Sequence, residues 1–235
     1  MTKEYVMVGA GGTGTHLLAP LIAYLTRPEN AENDWALTVI DGDDVEHKNL
    51  ERQLFHPAMV TMNKAQAAIL PYKHLENVVA VNEYLGKDNL KELIRDGATV
   101  LICVDNFPVR AMIESHCNTL PNVVVINGGN ERLSGSCQIW ERVDGKNTTP
   151  ALSYNHPEIL APGKDRAEMS CQEVAELPGG EQLIVTNMTS ASFMLLALMN
   201  VERKEITWTE TQFNLANMRE TYAADYRDLE GWQTV

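Results

Sequence analysis

Val6-Met7-Val8-Gly9-Ala10-Gly11-Gly12-Thr13-Gly14 joins an apolar run to a glycine-rich turn. The run from Tyr5 to Val8 has the make-up of a buried parallel strand, and Gly9, Gly11 and Gly14 follow in G-x-G-x-x-G spacing at the start of a helix predicted through Leu25. In such a turn the first glycine permits the tight bend, the second lets the backbone approach a phosphate, and the third lets helix and strand pack closely. The helix N-terminus adds unpaired N–H groups suited to an anion.

The acidic segment Val39-Ile40-Asp41-Gly42-Asp43 comes next, after a strand predicted from Ala36 to Ile40, and puts Asp41 where ribose hydroxyls would donate to it. A dehydrogenase would show the same two features. Asn49-Leu50-Glu51-Arg52-Gln53 shifts the balance from NAD toward ATP. If Lys48 to Leu54 is a helical turn, Asn49, Arg52 and Gln53 share one face, and an arginine there can pair phosphate oxygens in a bidentate way. Lys64 opens an Ala-rich helix and supplies a second cation. The alternative for either cation is an ordinary solvated helix face. Thr99 to Val104 reads as a further buried strand followed by Asp105-Asn106, where a carboxylate would hold Mg²⁺ against phosphates or cap the helix beginning near Pro108.

These segments, with Asn63-Lys64-Ala65 and Asp105-Asn106-Phe107-Pro108-Val109-Arg110, stand in the order and approximate spacing of the ThiF/MoeB/HesA family, which the chain resembles strongly over about residues 5 to 130 and weakly to about 200. Members of that family, relatives of the ubiquitin-activating enzymes, adenylate a carboxylate, usually the C-terminal glycine of a ubiquitin-like protein. The resemblance implies that Gly9, Gly11, Gly12 and Gly14 cradle the nucleotide, and that Asp41 binds ribose with Asp43 in the same cofactor-binding set. It implies that Asn49, Arg52 and Lys64 address the phosphates, that Gln53 supports them, and that Asp105 coordinates Mg²⁺. ATP and Mg²⁺ are thus the implied cofactors, and a ubiquitin-like (β-grasp) acceptor and a homodimer the implied partners. The resemblance extends to the accessory ThiF proteins of plasmid PRTRC gene clusters.

Cys103, Cys117, Cys137 and Cys171 include no C-x-x-C pair, so the structural zinc site of many relatives is not encoded and no zinc is expected. Cys103, Cys117 and Cys137 lie in apolar surroundings and read as inert core residues. Cys171 lies in a stretch with Pro162-Gly163 before it and Pro178-Gly179-Gly180 after it. Relatives carry a cysteine at a comparable distance, in a crossover loop, where some form a thioester or acyl-disulfide. Cys171 is therefore a candidate nucleophile, with His156 or Lys164 as candidate activators, and equally a candidate packing residue. Several relatives also bear an arginine on a helix before the first strand; here none precedes Gly9, which leaves His16 or Arg110 as substitutes or adenylation impaired.

With 235 residues, 44% of them hydrophobic, one α/β domain is expected, with a Rossmann-like doubly wound mixed sheet that is parallel in its first half and antiparallel in its second. Val78 to Val81, Val123 to Ile126 and Ile206 to Thr211 supply further strands, and Ser134 to Val143 an antiparallel one. The expected organisation is a nucleotide-binding half over 1–130, an acceptor-binding half over 131–217 with a crossover loop at about 144–182, and a tail over 218–235 that serves as an oligomer contact or a flexible end. A net charge of −13 argues against nucleic-acid binding. The longest apolar helix, Phe193 to Met199 with its flanks in the helix predicted from Leu183 to Asn200, is expected to be too interrupted by Asn, Thr and Ser to span a membrane, and unpaired cysteines without a leader imply a cytoplasmic setting. Three functions stay open: carboxylate adenylation, a nucleotide-binding scaffold without turnover, and an NAD-dependent oxidoreductase.

Overall fold

The computed structural model describes residues 2–28, 34–104, 106–160, 183–217 and 222–225. Its parallel strands are β1 (Lys3–Val8), β2 (Trp35–Ile40), β3 (Val78–Val81), β4 (Thr99–Ile102) and β5 (Val123–Asn130). Antiparallel pairing adds β6 (Ser134–Val143), the short β7 (Lys146–Asn147), β8 (Trp208–Asn214) and β9 (Tyr222–Asp225). The sheet runs β3-β2-β1-β4-β5-β6-β8-β9, with β7 paired to β6. This is the mixed α/β sheet expected, parallel first and antiparallel later.

Alternation explains why the central strands read as unbroken apolar runs. Tyr5 and Met7 of β1 enter the core beneath α1 (Gly12–Leu25), whereas Val6 and Val8 enter a second core on the opposite face with Val100 and Ile102 of β4. A strand covered on both sides needs apolar residues at every position. The second face is covered by α3 (Leu90–Leu93), α4 (Phe107–Cys117) and α5 (Leu152–Asn155), after the short α2 (Lys64–Ile69). On the first face α1 packs beside α6 (Ile184–Arg203).

Helix α6 corrects one expectation: it is 20 residues long and contains an 18-residue window with a mean hydropathy of 1.5, long and apolar enough by composition to cross a membrane. In this fold it lies on α1, β5 and β6, with Met194, Ala197 and Leu198 buried in the core. Its C-terminal end is fastened by Glu202, which accepts hydrogen bonds from Lys3 Nζ at 2.7 Å, Tyr24 Oη at 2.7 Å and Tyr5 Oη.

Other differences concern boundaries. Residues 47–51 form a 3₁₀ turn rather than the helical turn expected over Lys48 to Leu54. β4 stops at Ile102, so Cys103 and Val104 leave the sheet, while β5 continues to Asn130 because β6 pairs with it along its whole length. Tyr222–Asp225, within the expected tail, is an edge strand on β8.

The segment read as the start of a crossover loop carries α5 and is tied to β8 through His156. Its Nδ1 lies 2.9 Å from Glu158 Oε1 and its Nε2 2.8 Å from Glu210 Oε1. The hydrogen bond to Glu210 outweighs burial and raises the His156 pKa from 6.5 to about 9. A histidine pKa raised on folding adds stability that is complete below the unfolded value and is lost as pH rises through the folded one. Thermal melts should therefore show wild type losing part of its advantage over His156→Gln between about pH 6.5 and about pH 9. A difference that is constant across this window would show that His156 is not an imidazolium held by Glu210.

Candidate functional site

A cavity of about 340 Å³ opens at the C-terminal ends of β1, β2 and β4, the position at which open α/β sheets bind ligands. The glycine turn forms its floor. Gly9 has φ +98°, and a Cβ there would lie 2.7 Å from Val104 Cγ1. At Gly14 a Cβ would lie 2.1 Å from the Gly9 carbonyl oxygen, so helix and strand approach as closely as the spacing predicted. Gly11 caps α1 without a side-chain hydrogen bond, and no acidic residue stands in the first turn, leaving N–H groups for an anion. Among the described residues only Gln53 Nε2, at 3.7 Å, comes near a Cβ placed on Gly11, whereas Gly12 is pressed by Asn187, whose Nδ2 would be 2.5 Å from a Cβ. Gly12 thus has helix packing as its physical reason, and Gly11 retains the open approach to a ligand.

Asp41 braces this turn. Its Oδ2 accepts from Ala10 N at 2.7 Å and its Oδ1 from Asp43 N at 2.9 Å; burial raises its pKa. Asn63 fastens α2 to the same loop, donating to the carbonyls of Asp41 at 2.8 Å and Asp43 at 3.0 Å, while its own Oδ1 caps the helix through Gln66 N. Lys64 is consequently set in the cavity wall with Nζ 2.8 Å from Asp43 Oδ2 and its side chain only 4% exposed. It is a buried, ion-paired cation and not part of a solvated helix face.

Arg52 and Gln53 line the cavity and Asn49 does not. The shared-face argument fails because the chain leaves its 3₁₀ turn at Arg52, with φ −137°. Asn49 is instead a buried cap whose Oδ1 accepts from Glu46 N at 2.8 Å. Arg52 Nη1 and Gln53 Oε1 are buried and have no hydrogen-bond partner among the described residues. A buried guanidinium N–H left unpaired is costly, and an anion in this cavity would satisfy it.

The second half of the chain supplies what the motifs did not reveal. Asn187 of α6 donates to the Arg52 carbonyl at 3.2 Å and accepts from Asn130 Nδ2, and Asn130 lines the cavity. In the sequence Asn187 was only a polar interruption of an apolar helix. Tyr84, also missed, covers Gly42 with its ring and donates its hydroxyl to Asp43. No spacing signal marks either residue, because both reach the site only through tertiary packing.

Neither substitute for an N-terminal arginine is available as a phosphate cation. Burial lowers the His16 pKa, so the ring is neutral near pH 7. Arg110 binds main-chain carbonyls, those of Val104 at 3.0 Å and Gly128 at 3.2 Å, and so holds strand ends. His156 is likewise unsuited to activate a thiol as a base, because its raised pKa keeps it protonated and both ring nitrogens face carboxylates. Cys103 lines the cavity and Cys117 and Cys137 are buried; burial raises all three pKa values, Cys117 to about 12, so they are poor nucleophiles. Asp105, Lys164 and Cys171 lie outside the described residues. Among the described residues no three His, Cys, Asp or Glu side chains converge on a metal position.

Comparison with known proteins agrees with the architecture. A family model described as the ThiF family matches residues 2–228. The chain is 34% identical over 142 residues to the adenylyltransferase and sulfurtransferase MOCS3-1 of Zea mays, covering 59% of this chain and 28% of the relative. To the molybdopterin-synthase adenylyltransferase of Haemophilus influenzae it is 31% identical over 142 residues, covering 59% and 55%. To the SAMP-activating enzyme E1 of Haloferax volcanii it is 31% identical over 139 residues, covering 57% and 48%. This chain therefore spans from 28% to 55% of the length of these curated relatives. Among solved structures, E. coli MccB with ATP superimposes with a TM-score of 0.66 at 14% identity, over 95% of this chain and 63% of that one, a likeness of fold.

The two glycines separate folding from binding. Gly14→Ala should lower the melting temperature severely, because the added methyl meets a main-chain oxygen at 2.1 Å. Gly11→Ala should melt like wild type and yet bind ATP at least about tenfold more weakly, because its side chain would occupy space a phosphate needs. Isothermal titration and thermal melts of both variants check this; unimpaired ATP binding by Gly11→Ala would overturn it.

Proposed function

We propose that this chain, which belongs to the ThiF family, is an adenylyltransferase that uses ATP to activate a carboxylate, the C-terminal glycine of a ubiquitin-like protein. The observation that carries the reading is the buried Nη1 of Arg52, without a hydrogen-bond partner among the described residues, in the wall of a cavity floored by the N-terminus of α1. A dinucleotide site has less need of a fixed guanidinium beside the first two strands than a triphosphate has.

The chemistry is positioning and charge stabilisation. An oxygen of the acceptor carboxylate bonds to the α-phosphorus as the bond from that phosphorus to the bridging oxygen breaks, and pyrophosphate leaves with the electron pair. No general base is required, because the carboxylate is already ionised at neutral pH. Arg52, Lys64 and the α1 N–H groups stabilise the phosphate charge in this scheme, and Gln53 Oε1 offers an acceptor beside them. Asp105 is the residue assigned to Mg²⁺, which when bound neutralises phosphate charge. A homodimer is the assembly that goes with this reading.

The test is pyrophosphate exchange into ATP, with a β-grasp protein ending in glycine as acceptor. Acceptor-dependent exchange is expected. ATP binding without exchange would point instead to a scaffold, and NAD binding without ATP to an oxidoreductase. Arg52→Lys keeps the charge but loses the bidentate fork, so it should reduce exchange by about tenfold or more, and Arg52→Ala at least as much. Exchange at wild-type rates in both variants would remove Arg52 from the phosphate-binding groups.

A transfer step would use Cys171. Its thiolate sulfur, formed by loss of the thiol proton to solvent, attacks the acyl carbon, and the bond from that carbon to the AMP oxygen breaks. The support is the placement of this cysteine among Pro and Gly breakers, together with the raised thiol pKa values of Cys103, Cys117 and Cys137. Cys171→Ala should retain exchange and lose any reductant-sensitive adduct seen by non-reducing electrophoresis. An adduct that persists in Cys171→Ala would assign the thiol elsewhere.

A further inference from the structure

Tyr84 stands where no motif pointed, and three observations fix it there. Leu85 beside it is buried in the core with Ile40, Val8 and Ile102. Asn89 pins the loop, donating from Nδ2 to the Tyr84 carbonyl at 3.0 Å and accepting through Oδ1 from Gly86 N at 2.9 Å. The ring lies against the backbone of Gly42, where a Cβ would come within 2.6 Å of Tyr84 Cγ. A glycine at 42 is therefore required by the tyrosine, and the pair acts as one unit.

The phenol donates to Asp43 Oδ1, and the other oxygen of that carboxylate, Oδ2, holds Lys64 Nζ at 2.8 Å. We propose that Tyr84 is a positioning residue for nucleotide phosphate binding: by occupying one oxygen of Asp43 it leaves a single oxygen to Lys64 and so keeps the ammonium aimed into the cavity. The inference rests on the adenylation reading of this site.

An ammonium group has three donors. With the phenol in place, Asp43 offers Lys64 one oxygen, and the remaining donors are available to phosphate oxygens. Without it, the carboxylate can rotate and bring both oxygens to Nζ, neutralising the cation more fully and drawing it toward the Asp43 loop. Tyr84 is suited to this task across the neutral range. Its hydrogen bond to Asp43, followed by burial, raises the phenol pKa to about 12, so it remains a donor. Burial pushes the Asp43 carboxyl up, but the hydrogen bonds from Lys64 and Tyr84 outweigh it and hold the pKa below its ordinary value, so it remains an acceptor.

The experiment compares ATP with adenosine, which lacks phosphates, by isothermal titration and by ligand-observed NMR competition. Tyr84→Phe keeps the ring over Gly42 and removes only the hydroxyl. It should weaken ATP about threefold to tenfold, the scale of one hydrogen bond, and leave adenosine unchanged. In a Lys64→Met background the same substitution should have no further effect, which a general structural role would not produce. Equal loss of ATP and adenosine, additive effects with Lys64→Met, or unchanged ATP binding by Tyr84→Phe would each overturn the inference while leaving the adenylation reading standing. Wild-type protein that binds adenosine but not ATP would overturn both.

Discussion

The approach of Gly14 to the Gly9 carbonyl, too close for any side chain, is the constraint from which the site follows. It sets the first turn of α1 directly on the end of β1, so the N–H groups at the start of that helix open onto the cavity instead of being covered by loop. Asp41 then ties β2 to this turn by accepting from Ala10 N, and Asn63 ties α2 to the Asp41 loop. Each fastening uses backbone groups that would otherwise be unsatisfied near the cavity, which is why a polar loop can be held rigidly at the edge of an apolar core.

Electrostatics divides the site between fixed and unsatisfied charge. Lys64 is already paired with Asp43, and Asp43 in turn with Tyr84, so this group is balanced before any ligand arrives. Arg52 is different, because one of its buried guanidinium nitrogens has no partner among the described residues. The main chain of Arg52 is held by Asn187 and that amide by Asn130, so the second half of the protein positions a residue whose own segment lies in the first. The long helix α6 thereby joins core packing to the Arg52 side of the cavity.

The fold was largely legible in the residues. Apolar runs such as Val6 to Val8 and Val100 to Ile102 specify strands covered on both faces, and the glycine spacing specifies how the first helix meets the first strand. Boundaries were less legible: Cys103 and Val104 are as apolar as β4 itself yet leave the sheet, and Tyr222–Asp225 become a strand because β8 offers an unpaired edge. The composition of α6 passes for a membrane span, and only its packing on α1, β5 and β6 identifies it as a core helix.

For the candidate site, the sequence by itself determined the parts that depend on local backbone geometry: the tight turn at Gly9, the close packing at Gly14, and the position of Asp41 at the end of β2. It also brought Arg52, Gln53 and Lys64 to one cavity, through family spacing. Tertiary structure alone decided which of these groups are paired and which are open. Asn49 turned inward as a cap, Gly12 yielded its free space to Asn187, and Lys64 found Asp43 and, through it, Tyr84. The physical reason is that a hydrogen bond or ion pair depends on where two side chains meet in space, and residues 41 or 135 positions apart meet only once the sheet and its helices have packed.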